Sequence, residues 1–299
     1  MTHKTISIVT PTFNQGRYIE QTIESVLSQG YPNLEYIIID GGSTDNTVEI
    51  IKKFEKHLKY WVSEKDKGQA NAINKGLKLC SGEIFNWLNS DDYLEQGALQ
   101  AIEDGFASGA DVVAGKTRIF REDKTLEMVQ HSNLSSRGLM CWDSGVQFVQ
   151  PGVWLKKSLI ERCGGIDESL HYSFDWDMYI RYLSKYSNVK YIEDLLIHFR
   201  YHELSKTVKM QNKFLQEQNM IVEKLAGGDN SPELRKLALY KLKINKWMPF
   251  LREVVNNDEL SKLIKFKRIV KGVNIDNLQL WRATGGALNM VLKNQKYKC

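Results

Sequence analysis

At 299 residues, with 42% of them hydrophobic and 26% charged, the chain can form one large domain or a domain plus a smaller extension. The composition excludes a disordered or collagen-like chain. The net charge of +5 is unevenly spread, with a net +9 in residues 211–299 and a net −4 in residues 1–210, so the tail region suits an anionic surface, membrane or nucleic acid.

The cysteines, Cys80, Cys141, Cys163 and Cys299, lie far apart and form no CxxC pair. That argues against a disulfide framework or a zinc site and fits a reducing compartment. The start, MTHKTISIVTPTFN, lacks the basic-then-apolar pattern of a signal peptide, and no segment approaches the roughly 20 apolar residues of a membrane span. The expected location is the cytoplasm, free or peripheral on the inner face of the plasma membrane.

Residues 5–10, TISIVT, are β-branched and mostly apolar and predict a buried strand ending at Pro11. Ile19, Ile23, Val26 and Leu27 recur at helical spacing within 15–29, and Gly30 and Pro32 stop that helix. EYIII at 35–39 predicts a second buried strand ending at Asp40. GGSTDN follows as a turn, with Asp45 or Asn46 as helix N-cap. A helix carrying Val48, Ile51 and Phe54, a strand at 60–62, a helix at 69–79 and a strand at 82–88 complete this half. Strands that are apolar throughout, alternating with helices, mean a parallel sheet covered on both faces. Ligands of such sheets sit beyond the carboxyl ends of the strands. Asn14, Asp40, Asp66 and Asp91 all fall at or just after those ends.

Beyond residue 110 the pattern is less regular. VVAG, TRIF and QFVQPGVWL are strand-like, and residues 158–163 form a short helix broken by Gly164-Gly165. FDWDMYIRYL at 174–183 is helical and opens with acids, and LLIHFRYH at 195–202 is strand-like. From about 208 the pattern is helical and Lys-rich. In LSKLIKFKRIVKGV at 260–273, apolar residues at helical intervals alternate with Lys262, Lys265, Lys267, Arg268 and Lys271. Two readings stay open: a helix lying on anionic lipid, or one packed on the main domain with a solvated basic face. Association with a second copy through 208–299 is a third, whereas no recognition motif accompanies the charge to suggest nucleic acid.

The stretches ISIVTPTFN, IIIDGGSTDNT, SEKDKGQANAINKGL, SGEIFNWLNSDDYL, GGIDESLHYSFDWDMYIRYL and FRYHELSKT, in that order, make the chain resemble the inverting family 2 glycosyltransferases of GT-A fold, in their bacterial polysaccharide branch. The resemblance covers about 5–207. It implies a GT-A α/β domain over 1–207, with a nucleotide-binding half at 1–110 and an acceptor-side half at 111–207, followed by a basic helical region at 208–299. It implies transfer of a sugar from a nucleotide-diphosphate sugar, UDP-sugar first among candidates, to a glycan or lipid-linked acceptor, with Mn2+ or Mg2+ as cofactor. The rivals are a GT-A-like nucleotidyltransferase, for which TPTFNQGRYIE is a poor triphosphate loop, and an inactive nucleotide-sugar-binding scaffold.

The roles that follow are those the resemblance implies. Pro11, Thr12, Phe13 and Asn14 after the first strand, together with Asp40 and Asp66, face the base and ribose. Phe13 as a core residue and Asp40 as a turn cap are the plainer alternatives. Many members carry two acids after the second strand. Here Gly41 stands in the second place, and Asp66 is expected to supply the missing contact. Asn89-Ser90-Asp91 occupies the position of the family's DxD motif: Asn89 and Ser90 contact the nucleotide and Asp91 is the metal ligand. Asp92 orients it or holds water; alternatively Asp91 and Asp92 cap a helix beginning at Tyr93. Arg200, His202 and Ser205 face the diphosphate, with His202 also a candidate metal ligand. Asp175 aligns with the general base and Asp177 is the lesser candidate, with helix N-capping as the plainer role of Asp175. Phe174, where a Glu is commoner, would make the base's surroundings drier. Gln150, Gly152, Gly165 and Trp176 shape the donor and acceptor pocket; Trp142, Trp154 and Trp176 are candidates to stack on sugar faces, with core packing as the plainer role of each.

Overall fold

The computed structural model describes residues 3–141, 146–203, 210–273, 280–293 and 295–296. The chain forms two compact units, Met1–Gln218 and Asn219–Cys299. The first is built on β1 (Ile6–Thr12), β2 (Leu34–Asp40), β3 (Tyr60–Ser63), β4 (Ile84–Trp87), β5 (Tyr93–Leu94), β6 (Val112–Arg121), β7 (Lys124–Val129), β8 (Val153–Lys156) and β9 (Val189–Arg200). Their order is β3-β2-β1-β4-β8-β6-β9-β5, with β7 on β6. The β3-β2-β1-β4 portion is parallel. Beyond it the sheet is mixed, because β8 runs antiparallel to both β4 and β6 while β9 is parallel to β6.

Both faces are covered, as the unbroken apolar strands require. Ile6 and Ile8 face a core shared with α1 (Ile19–Leu27) and α4 (Ala98–Ala107). Val9, one residue on, faces α3 (Gln69–Leu79), where a Cβ on Gly76 would stand 2.5 Å from Val9 Cγ1. β1 outruns its predicted end because β4 pairs with it only as far as Val9. The side of Pro11 that lacks an N–H therefore has no ladder partner to lose. The first helix starts later than its pattern suggests. Residues 14–16 are instead tied to the next loop: Asn14 N donates to Ser43 Oγ at 2.7 Å, Gln15 N to Thr47 Oγ1 at 2.8 Å and Gly16 N to Asp45 Oδ2 at 3.0 Å. Asn46 precedes α2 (Thr47–Phe54) without a side-chain cap bond.

VVAG and TRIF are one strand, β6, and α4 and β7 are elements that the pattern did not reveal. No helix begins at Tyr93. Tyr93 and Leu94 pair with His198 and Ile197 of β9, so Asp91 and Asp92 cap nothing. Farther along are α5 (Ser136–Cys141), α6 (Lys157–Arg162) and α7 (Phe174–Leu183). Helix α8 (Gln211–Gly227) begins inside the first unit.

In the second unit, α9 (Pro232–Asn256), α10 (Lys262–Gly272) and α11 (Trp281–Leu292) enclose Leu251, Val254, Val255, Ile269, Ala287 and Val291. Ser231 and Ser261 cap α9 and α10 by accepting from Leu234 N and Ile264 N. Among the described residues no helix is long and apolar enough to cross a membrane.

Candidate active site

The carboxyl ends of β1 and β4 open into a cleft of about 830 Å3 that is closed by the start of α7, the end of β9 and the first turns of α8. Of the candidates named above, Pro11, Thr12, Phe13, Asp66, Asn89, Ser90, Asp91, Gln150, Asp175, Trp176, Arg200 and His202 all line it.

At one end Phe13 is 57% exposed, which excludes the core role and leaves a ring face open to a ligand. Thr12 Oγ1 is buried with no hydrogen-bond partner. Such an orphan is costly unless a ligand completes it. A Cβ on Gly41 would meet Asp66 Oδ2 at 2.8 Å. The Asp66 carboxylate therefore fills the space that a side chain at 41 would take, and Asp66 Oδ1 accepts from Gly68 N at 2.8 Å.

Asp40 and Asn14 are not in the cleft. Asp40 is fully buried, and its carboxylate accepts from Gly42 N at 3.1 Å, Ser43 N at 2.9 Å and Ser63 Oγ at 2.6 Å, and also from Ser43 Oγ. It shapes the turn beneath the site, as a turn cap would. Asn14 has φ 52, and its Oδ1 accepts from Thr44 N at 2.8 Å, so it joins two loops.

In the centre, His202 Nε2 lies 2.9 Å from Asp91 Oδ2. Arg200 Nε donates to Asp91 O at 3.0 Å, and its guanidinium sits over Tyr18 at 5.0 Å and Phe120 at 4.7 Å. Arg200 is thus clamped by aromatic rings and holds the Asp91 loop. Asn89 Oδ1 accepts from Gln69 Nε2 at 2.8 Å. Asp92 is buried, and its Oδ1 accepts from Arg200 N at 2.9 Å. Burial, followed by the neighbouring Asp91 charge, pushes the Asp92 pKa well above the usual carboxylate value. Asp92 therefore ties the end of β9 to the Asn89–Asp91 loop from below.

At the far end Asp175 stands in the first turn of α7, for which Ser173 is the N-cap residue, and it accepts from Trp176 N at 2.7 Å. Asp177 lies outside the cleft. It is buried and binds Arg181 Nε at 2.9 Å and Nη2 at 2.6 Å. Gly165 lies outside too, its carbonyl taken by Arg181 Nη2 at 2.9 Å. Gly152 is buried behind the wall, where a Cβ would stand 2.5 Å from His131 Cε1. Trp176 is buried and donates from Nε1 to Leu139 O at 3.1 Å. Trp154 is buried in the core. Ser205 and Trp142 fall outside the described residues.

Two contributors carried no sequence signal. Ser173 Oγ is buried, without a hydrogen-bond partner, on the cleft wall. Glu217 of α8 accepts from three consecutive backbone groups: His171 N at 2.7 Å, Tyr172 N at 2.7 Å and Ser173 N at 2.6 Å. A buried carboxylate thereby locks the entry to the helix that carries Asp175.

The family model described as glycosyl transferase family 2 matches residues 7–164. The chain belongs to glycosyl transferase family 2. This glycosyltransferase is 30% identical to the chondroitin synthase of Escherichia coli over 214 residues, 68% of this chain and 30% of the synthase. It is 36% identical to the poly-beta-1,6-N-acetyl-D-glucosamine synthase of Staphylococcus epidermidis over 132 residues, 41% of this chain and 32% of the synthase. The matched stretches thus span about a third of these two relatives. Among solved structures, S. aureus TarS 1–349 in complex with UDP-GlcNAc aligns with a TM-score of 0.67 at 16% identity, covering 98% of this chain and 93% of TarS. The mannosyltransferase PcManGT from Pyrobaculum calidifontis, in complex with GDP-Man and Mn2+, aligns with a TM-score of 0.61 at 17% identity, covering 97% of this chain and 81% of that one. These likenesses establish the GT-A fold of the glycosyltransferase.

Proposed function

We propose that this glycosyltransferase is an inverting, metal-dependent enzyme. It moves a hexosyl or N-acetylhexosaminyl unit from a nucleotide-diphosphate sugar to a hydroxyl of a glycan or lipid-linked acceptor. The observation that carries this reading is that Asp91, His202 and Asp175, on three separate elements, line one cleft. UDP-sugars are the first donors to try, since TarS was crystallised with UDP-GlcNAc.

The residues present fit a divalent ion. Asp91 and His202 offer an oxygen and a nitrogen 2.9 Å apart. These two side chains would hold the ion, each supplying one donor atom. Among the described residues no cluster of three or more His, Cys, Asp or Glu forms a ready metal cage. Positions are thereby left for phosphate oxygens and water, as Mg2+ and Mn2+ prefer. The complex of PcManGT with Mn2+ is consistent with that choice. When bound, the ion would neutralise charge building on the leaving diphosphate.

The chain's own groups do the rest. Phe13 offers a stacking face to the base, and Thr12 Oγ1 and Asp66 offer hydrogen bonds to base or ribose. Asp175 takes the proton of the acceptor hydroxyl as its oxygen bonds to C1 of the sugar. The C1–O bond to the diphosphate breaks with its electron pair leaving on the phosphate oxygen. A single displacement inverts the anomeric centre and needs no covalent nucleophile. The test is a thermal-shift screen of UDP-, GDP- and dTDP-sugars with and without Mn2+, followed by transfer assays with the donors that bind. A metal-dependent rise in Tm with at least one donor is expected. Binding and transfer that both persist in excess chelator would overturn the metal assignment.

A further inference from the structure

Helix α10 packs by one face and shows a different face to solvent. Ile269 is fully buried in the second unit's core. On the same face, Lys262 Nζ donates to Leu292 O at 3.3 Å and Lys265 Nζ to Val255 O at 2.8 Å. Leu263, Phe266 and Val270 form another stripe by helical periodicity. They are 63%, 40% and 48% exposed. Lys267 and Lys271 form the adjoining edge, both exposed and without an ion-pair partner among the described residues.

We infer that α10 docks lengthwise on an anionic phospholipid surface. Leu263, Phe266 and Val270 enter the boundary between headgroups and acyl chains, while Lys267 and Lys271 meet the lipid phosphates. A solvated basic face does not account for Leu263, Phe266 and Val270 forming one continuous exposed apolar stripe. A second copy of this face would set Lys267 and Lys271 against the same two cations. Nucleic acid would match the charge and leave the apolar stripe wet. Only a surface that is anionic outside and apolar beneath satisfies both halves of the face. The helix is formed before docking, since Ser261 caps its start and Ile269 anchors it, so little ordering cost remains at the membrane.

The test is co-flotation of the full chain with phosphatidylcholine vesicles, with and without phosphatidylglycerol, at low and high salt. It reads lipid binding alone and is independent of the transfer reaction. Flotation with the anionic vesicles only, weakened by salt, is the expected result. Lys267→Gln and Lys271→Gln should each weaken it roughly five-fold, and Phe266→Asp or Leu263→Asp should abolish it. Both apolar sites are exposed, so unchanged thermal melts will certify the fold of each variant. Failure to float with anionic vesicles, or undiminished flotation of folded Phe266→Asp, overturns the proposal. So does a wild-type dimer that Phe266→Asp dissociates while vesicles remain unbound.

Discussion

Asp91 and His202 stand 111 positions apart in the chain and meet at 2.9 Å. The antiparallel pairing of Tyr93 with His198 sets this meeting. It carries the end of β9 back past the Asn89–Asp91 loop, and Arg200 and Asp92 fasten the two together. If the pair holds the metal, His202→Ala should raise the Mn2+ concentration needed for half-maximal transfer by at least about tenfold. Asp91→Ala should leave no measurable transfer. A Mn2+ titration of initial rate distinguishes the two, and unchanged Mn2+ dependence in His202→Ala would remove it from the ligand set.

Asp175→Asn should bind donor with unchanged affinity yet lose transfer by about 10²- to 10⁴-fold, the usual worth of a general base. Titration calorimetry with the donor and single-turnover transfer measure the two halves separately. Full transfer by this variant would sink the assignment. Asp177→Asn should instead act mainly on stability, because its carboxylate is committed to Arg181 inside the protein.

Glu217 links α8 to the helix carrying the proposed base. Glu217→Ala leaves the buried Ser173 N–H and the part-buried His171 and Tyr172 N–H groups without their acceptor and should cost about 2 kcal/mol in urea unfolding. Glu217→Gln keeps one acceptor oxygen and should recover part of that loss. In Glu217→Gln, kcat should fall while KM for the donor holds, since the donor end of the cleft does not involve this contact.

Gly41→Ala tests the Asp66 assignment. The new Cβ would displace the Asp66 carboxylate, which now stands 2.8 Å from that point. Nucleotide affinity should drop by about tenfold, the worth of one hydrogen bond to a charged group. Equal nucleotide affinity in the variant would show that Asp66 makes no contact that matters.

Away from the cleft, Glu35 accepts from Ser7 Oγ at 2.6 Å and Ser81 N at 2.8 Å and pairs with Lys59. Although burial alone would raise its pKa, the Lys59 bond and the serine bonds bring it down from 4.5 to about 2. A depressed carboxylate stabilises the fold above its unfolded value, and the effect is lost as pH falls from 4.5 toward 2. Glu35→Gln should therefore cost about 1–2 kcal/mol at neutral pH, allowing for solvent screening. Its melting temperature should converge with that of the wild type over that acid range.

Much was legible in the chain itself. Apolar strands alternating with amphipathic helices specify a covered parallel sheet, because only burial on both faces tolerates Val and Ile at every position. Polar residues just past the strand ends then mark the cleft, and α3 and α7 start and stop where their periodicity says. What local pattern could not decide were the contacts made across the sequence. Asp40 lies at a strand end like Asp91, yet its carboxylate is consumed by Ser63 and the 41–43 turn, while that of Asp91 lines the cleft. Asp175 and Asp177 look interchangeable in FDWDMYIR, and only Arg181, one helical turn beyond Asp177, separates them. Glu217 reads as one acid on a polar helix until the fold delivers it to three backbone N–H groups. Local sequence sets which residues can be buried or exposed. The identity of each partner is a long-range property, because it depends on which strand ends and helix starts the tertiary packing brings within hydrogen-bond reach.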